Sequence, residues 1–358
     1  INLLFKKQNM KRKNLIVKRK VDSSLIKNNF QTFKKILFKN LNKKSFAVAV
    51  SGGADSLCLA YFSKMYSSEF KNKIVILIVN HNIRKESSKE ALKVKRILEK
   101  KGISGKILSW KKEIPSSNIQ LKARNIRYSL MSNYCSKNNI KYLITAHHID
   151  DQIENFFIRL FRGSGLTGLS SMTENTKYDE NLKILRPLLN CKKEDLRQIT
   201  LKHFGTYISD PSNKNEKFLR VRIRKYRNIM KEEGLDSRKI IKTINNLYSA
   251  NKALNFYKNK ALFKYTSFLS KNRCIVNKKI FSEEANEIIF KSFSDILSLI
   301  SRSYYPPRSK KILRLISEMK KSTFKKSTLG GCIIEKKQSF ISFSKESKVR
   351  KIAHQLEK

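Results

Sequence analysis

Six consecutive residues, Ser51-Gly52-Gly53-Ala54-Asp55-Ser56, concentrate anion-binding chemistry in one short stretch. An apolar run over 46–50 precedes them and an apolar-periodic stretch over 56–65 follows, which reads as strand, turn, helix. Two glycines let the backbone approach an anion closely, while two serine hydroxyls and the start of a helix supply donors. Asp55 is a carboxylate suited to holding magnesium against phosphates. No Gly-Lys-Ser or Gly-Lys-Thr follows, so the Walker pattern is excluded. The bland alternative is a glycine turn capped by Ser56.

A second cluster, Thr145-Ala146-His147-His148-Ile149-Asp150-Asp151-Gln152-Ile153-Glu154, follows another short apolar run. On a helix Asp150 and Glu154 are spaced i,i+4 and Asp151 and Glu154 i,i+3, so they share a face. A helix-start cap accounts for one acid but not for three beside two histidines. Three chemistries suit the group: a metal cluster, recognition of a cationic substrate, or a general base for an attacking amine. Arg124 and Arg127, three apart in Gln120-Leu-Lys-Ala-Arg-Asn-Ile-Arg-Tyr128, suit phosphate contact. Asn80-His81-Asn82-Ile83-Arg84 leaves the end of the clearest strand, where a base or ribose would lie. Arg159 and Arg162 precede a glycine-containing turn, and Arg220, Arg222 and Arg224 alternate after Asp210-Pro-Ser-Asn213.

The elements that must position these residues alternate in type. Strands are expected over 46–50, 74–79, 106–110 and 141–145, and helices over 56–65, 86–101, 118–137 and 150–161. This order predicts an α/β fold, a parallel sheet with helices on both faces. Ligands bind such sheets at the carboxyl ends of the strands, where each polar cluster falls. Residues 1–44 read as a basic N-terminal extension beginning with a flexible arm, 45–230 as the catalytic domain, and 231–358 as a mainly helical region. In that last region Leu247, Leu254 and Leu262 lie about two turns apart, a helix is expected over 310–320, and 328–343 reads as a terminal hairpin.

Lys and Arg number 78 against 28 Asp and Glu among 358 residues, a net charge of +50, which favours a polyanionic partner, nucleic acid first. The five cysteines are scattered without a CxxC pair, which argues against a disulfide framework or zinc ribbon and for a reducing, cytoplasmic setting. No apolar run has the ~18 residues of a membrane span, and residues 1–20 lack a secretory-signal pattern.

The loop SGGADS resembles the PP-loop of the N-type ATP pyrophosphatases (adenine nucleotide alpha hydrolase-like). Taken in order, SGGADS, NHNIRKES, IQLKARNIRY, TAHHIDDQIEN, RLFRGSGLTGL, RPLL and SDPSNKNEKFLRVRIR resemble the tRNA(Ile)-lysidine synthetase family over about residues 45–230, with a weaker echo in YYPPR and STLGGC. Asn80, Ile83 and Asn155 depart from residues common in that family. The resemblance implies ATP and Mg²⁺ as substrate and cofactor, free L-lysine and tRNA(Ile) with a CAU anticodon as partners, and lysidine formation through an adenylated wobble cytidine. It implies that Ser51, Gly52, Gly53, Ala54 and Ser56 cradle pyrophosphate with Asp55 on the metal, that Arg124 meets the α-phosphate or adenylate, and that His81 and His147 lie along the nucleotide. Asp150, Asp151 and Glu154 would bind or deprotonate lysine or share the metal, and Arg220, Arg222 and Arg224 would meet tRNA phosphate. The 231–358 region would also serve tRNA, and a homodimer is one arrangement the chain allows. Two alternatives stand beside this reading: a PP-loop tRNA sulfur transferase, disfavoured by the missing cysteine pair, and a non-catalytic RNA-binding protein, which explains the charge but not the loop and three acids.

Overall fold

A computed structural model describes residues 23–41, 44–82, 86–111, 119–170, 172–209, 219–303 and 306–346. The basic arm at 1–20, Arg84 and the Asp210–Asn213 stretch lie outside them. The chain divides into two compact units at Ile244/Asn245.

The first unit begins with α1 (Ser23–Leu41), followed by β1 (Phe46–Val50), α2 (Ala54–Phe70), β2 (Ile74–Asn80), α3 (Ser87–Glu99), β3 (Gly105–Ser109), α4 (Ile119–Lys137), β4 (Tyr142–Ile144) and α5 (Ile149–Leu160). Next come a single turn α6 (Leu166–Leu169), a hairpin β5 (Asn175–Lys177) and β6 (Lys183–Leu185), α7 (Lys193–Phe204) and α8 (Leu219–Glu232). The strands form one sheet in the order β3-β2-β1-β4-β6-β5, parallel except where β5 pairs with β6.

Strand periodicity decides how this sheet is covered. Successive side chains of β1 point to opposite faces. Phe46, Val48 and Val50 enter a core with α1, α2, α3 and α7, while Ala47 enters a second core with Tyr128, Met131 and Cys135 of α4. Burial on both faces is why β1 and β2 read as unbroken apolar runs instead of alternating ones. Within the segment read as a basic extension, α1 is part of this packing: Phe33, Leu37 and Leu41 are fully buried, and the Phe33 ring lies 5.6 Å from that of Phe62 on α2.

Strand order reverses between β1 and β4: one half of the sheet grows outward from β1 through β2 and β3, the other from β4 through β6. A crevice opens at the carboxyl end of the strands at such a point. The Ser51–Ser56 loop leaves β1 there and the 145–148 segment leaves β4 beside it.

The helix α9 (Ser237–Tyr265) crosses into the second unit. There β7 (Thr266–Ser270), β8 (Arg273–Asn277), α10 (Ile280–Glu283), α11 (Asn286–Ser301), α12 (Ser309–Lys320), β9 (Lys326–Leu329), β10 (Cys332–Lys336) and β11 (Phe340–Lys345) follow. The five strands form an antiparallel sheet in the order β7-β8-β11-β10-β9. Phe293, Ile289 and Leu297 of α11 pack with Cys274, Val276, Ile334 and Phe343 of that sheet. The region is thus helical and β in turn. The leucine period that marks α9 ends at Tyr265, and the alternation of buried Cys274 and Val276 shows the switch to a period of two. Among the described residues no helix is long and apolar enough to cross a membrane.

Candidate active site

The loop after β1 is organised by one hydroxyl. Ser56 Oγ accepts from the backbone N–H of Ser51 at 3.2 Å and of Gly52 at 3.1 Å, and donates to the Gly53 carbonyl at 3.0 Å. Ser51 Oγ adds a 3.3 Å contact. Gly52 takes φ +87°, a left-handed conformation that L side chains rarely adopt, and a Cβ there would lie 2.4 Å from Val94 Cγ2. Gly53 is the N-cap of α2 and has no side chain with which to cap it, so the first-turn N–H groups face outward from the loop. Such an N-terminus is an anion site.

Asp55 sits in the first turn of α2. Its Oδ2 lies 3.4 Å from His148 Nε2, and its Oδ1 is buried without a hydrogen-bond partner. His148 is the N-cap of α5 in extended conformation (φ −130°, ψ −177°) and is buried. Its Nε2 also lies 3.4 Å from Asp151 Oδ2 and its Nδ1 3.7 Å from Asp150 Oδ2. Asp151 Oδ2 closes a capping box by accepting the His148 backbone N–H at 3.1 Å.

Because the backbone is extended at this point, the adjacent side chains of His147 and His148 diverge. Burial alone would lower the His148 pKa, but its bond to Asp55 and the charges of Asp151, Asp55 and Asp150 raise it above 6.5. His147 moves the other way: burial first, then the charges of Arg186, Arg124 and Arg220, hold it well below 6.5 and therefore neutral. Thr145 Oγ1 and His147 Nδ1 share a 2.9 Å hydrogen bond. One residue apart, the site has a cationic side suited to phosphate and an anionic side suited to a metal ion or an ammonium group.

The three acids of α5 differ in what they touch. Glu154 is buried, and Arg224 of α8 holds both its oxygens, Nε to Oε1 at 2.6 Å and Nη2 to Oε2 at 3.2 Å. Asp150 pairs with Arg227 of the same helix. Burial pushes the Asp150 carboxyl up, but the Arg227 bond and charge, His148 and the Lys193 backbone N–H bring it below 3.8. Burial dominates at Asp151 and raises its pKa above 3.8 against the opposing effect of His148.

The expected residues fall as follows. Ser51 to Ser56, Asp55, His147, Asp150, Asp151 and Glu154 gather at the β1/β4 crevice. His81 leaves β2, the next strand, where Asn80 Oδ1 accepts from the Asn82 N–H at 3.1 Å and Asn80 Nδ2 donates to Ser88 Oγ at 2.9 Å. Asn80 thus shapes the loop between β2 and α3. Arg124, exposed on α4, stacks over Tyr128 with 5.1 Å to the ring centroid, and Tyr128 stacks on Tyr178 at 5.4 Å. The alternation of Arg220, Arg222 and Arg224 belongs to a helix, not a strand. One turn separates Arg220 from Arg224 on one face, and Arg222 points elsewhere. Two residues central to this geometry went unassigned in the sequence, His148 and Arg227. Arg227 follows Arg224 at i+3, a spacing that signals a shared face once α8 is known to be helical.

All five cysteines are buried. Burial pushes Cys135, Cys191 and Cys274 up to about 12 and Cys332 up to about 11. Among the described residues no group of three or more His, Cys, Asp or Glu side chains is arranged to hold a metal ion.

Comparison with known proteins bears on the family and the fold. The PP-loop domain family matches residues 26–233. The tRNA(Ile)-lysidine synthase of Orientia tsutsugamushi is 34% identical over 313 residues, 84% of this chain and 69% of that protein. That of Wolbachia pipientis wMel is 34% identical over 326 residues, 87% of this chain and 74% of that protein. Among solved structures, the U34-tRNA thiolase NcsA of Methanococcus maripaludis with its 4Fe-4S cluster aligns with a TM-score of 0.52 at 20% identity, covering 63% of this chain and 79% of that one, a likeness of fold.

Proposed function

The chain belongs to the tRNA(Ile)-lysidine synthase family and carries its PP-loop domain, and from that premise we propose how its crevice performs the reaction. It is an ATP-dependent ligase that forms lysidine on tRNA(Ile). The cytidine O2 of the CAU wobble position attacks the ATP α-phosphate and pyrophosphate leaves. The lysine ε-amine, having lost a proton, attacks carbon 2, and AMP departs with the oxygen. The first step is needed because a cytosine oxygen is a poor leaving group until it is phosphorylated. The protein's contribution is to position the reactants and stabilise the charge that develops.

The observation that carries this reading is the divided site: an uncapped helix start and a neutral His147 among arginines beside three carboxylates, Asp55, Asp150 and Asp151, around His148. Ser51, Gly52, Gly53, Ala54 and Ser56 would hold pyrophosphate, with Arg124 at the α-phosphate and His81 and His147 along the nucleotide. Asp55 fits Mg²⁺, because its buried Oδ1 has no hydrogen-bond partner and Mg²⁺ usually takes one or two carboxylates plus substrate phosphates instead of a full protein cage. When bound, the ion would neutralise phosphate charge as pyrophosphate leaves. Asp150 and Asp151 face the attacking amine, and Arg220 and Arg222 meet tRNA phosphate. The paired Glu154 and Arg224 hold α5 against α8. The 231–358 region adds tRNA contacts, and the enzyme works in the cytoplasm.

A tRNA sulfur transferase needs an accessible thiolate or cluster ligand, and the five buried, raised thiols do not offer one. The deciding experiment supplies labelled lysine, ATP and magnesium to tRNA(Ile) with a CAU anticodon, with methionine tRNA of the same anticodon as control. Label in the isoleucine transcript alone, with AMP and pyrophosphate released, is expected. Pyrophosphate without lysine transfer would point to another nucleophile, and no turnover by folded protein would leave an RNA-binding protein.

A further inference from the structure

We propose that Arg227 is a positioning residue for catalysis, acting through Asp150. The inference rests on the reading above, in which Asp150 faces the reacting amine.

Helix α8 reaches α5 through two guanidinium–carboxylate pairs. Asp150 and Glu154, four apart on α5, meet Arg227 and Arg224, three apart on α8. The two pairs are not equivalent. Both Glu154 oxygens are bonded to Arg224 and the side chain is 2% exposed, so it is closed to a substrate. Asp150 remains 21% exposed and is held through one oxygen, Oδ1, by Arg227 Nη1. Arg227 is itself fixed at a second point, since its Nη2 donates to Ser237 Oγ at 3.1 Å, at the first residue of α9. A planar fork bonded at two places has little freedom, which fixes the carboxylate it carries.

The electrostatics require such an anchor. Around Asp150 the other charged groups are Arg224, whose charge reaches it from α8, and His148 on its own segment, with Asp55 and Asp151 beyond that ring, while α7 contributes the backbone N–H of Lys193. Without Arg227, Arg224 would remain bonded to both oxygens of Glu154, so Asp150 would share one imidazole with two other carboxylates and would be free to rotate. A lysine at 227 would restore the charge but could not span Asp150 and Ser237 in the same plane.

The test is a double-mutant cycle on the full-length protein, read by single-turnover lysidine formation on tRNA(Ile) transcript at high enzyme concentration, with melting temperature measured for each variant. R227A should slow lysidine formation at least tenfold, and R227K should recover part of that loss. In a D150N background, R227A should change the rate by no more than about twofold, because the group through which it acts is gone. S237A, which removes only the second anchor, should have a smaller effect than R227A. Equal losses from R227A in both backgrounds would show a general structural role and overturn the proposal, as would an R227A rate within twofold of wild type. If R227A fails to fold, the comparison is made with R227K, whose loss must likewise vanish in the D150N background. Failure of the wild-type protein to transfer lysine would overturn the functional reading instead, and is seen before any variant is compared.

Discussion

Replacing Gly52 with alanine tests the phosphate loop at its tightest point. A left-handed φ costs an L residue roughly 1–2 kcal/mol, and Gly52 sits at φ +87°. The new Cβ would also lie 2.4 Å from Val94 Cγ2, a branched side chain on α3 that is itself buried. Overpacking of that kind costs about 1–3 kcal/mol. The loop cannot swing away cheaply, because the Gly52 N–H donates to Ser56 Oγ and its carbonyl accepts from the Ile208 N–H at 2.8 Å. The expected destabilisation is therefore about 2–5 kcal/mol, which at ~2–4 °C per kcal/mol is a fall of about 4–20 °C in melting temperature, with ATP-dependent pyrophosphate release lost as well. A second substitution separates the two causes. In a V94A background the Val94 clash is gone, leaving the backbone cost and the 3.3 Å approach to Ile208 Cδ1, so G52A should then cost about 1–3 kcal/mol less. A G52A protein that melts with wild type would refute the loop geometry. An undiminished penalty in V94A would refute the contact with α3.

Three further outcomes follow from the structure. Glu154→Ala leaves Arg224 unpaired; that arginine is 33% exposed, so the loss should be about 2 kcal/mol, below the ~3–5 kcal/mol of a fully buried pair, measured by urea unfolding. Asp150 is held below 3.8, so the stability it contributes is complete above that pH and disappears as the pH falls through its lower folded value; D150N should flatten this part of the acid-side stability curve and leave the slope near neutrality unchanged. The five buried thiols should resist iodoacetamide at pH 8 in the native protein and all react in denaturant, counted by mass; rapid native labelling of any one of them would reopen the sulfur-transfer reading.

The sheet was legible because β1 to β4 are short apolar runs separated by amphipathic helices, and a parallel sheet covered on both faces produces that pattern. The crevice was legible for a related reason, since both polar clusters follow strands directly. Helix α1 was hidden by its lysines, which occupy the solvent side while Phe30, Phe33, Leu37 and Leu41 face inward at helical spacing. Strands β7 and β8 were hidden by their short length and by the leucine period just before them. The partners of the α5 acids could not be read at all: 70 residues separate Glu154 from Arg224, and Val-Arg-Ile-Arg looks like strand alternation until helix geometry places Arg224 and Arg227 on one face. Pairings at that separation follow from tertiary packing, to which local periodicity is blind.

A chain with a net charge of +50 gathers four carboxylates, Asp55, Asp150, Asp151 and Glu154, around one histidine and two arginines. Carboxylates crowded together raise one another's pKa unless they are neutralised. Arg224 and Arg227 neutralise two of the four and leave Asp55 and Asp151, the two that touch His148 Nε2. Asp151 shows the residual strain, its pKa raised by burial and by Glu154 and Asp55. The deficit is a local shortage of positive charge in a protein that has positive charge in excess elsewhere, and more surface lysine would not relieve it, since exposed charges are screened within about 8–10 Å. A cation arriving with the substrates, a magnesium ion with ATP or the ammonium of an amino acid, would relieve it directly. The arginines whose charges reach His147 would complement a phosphate group instead. The two sides are joined by the single peptide bond between His147 and His148, so the phosphates of a nucleotide and the ammonium of a nucleophile would be drawn to opposite sides of one crevice.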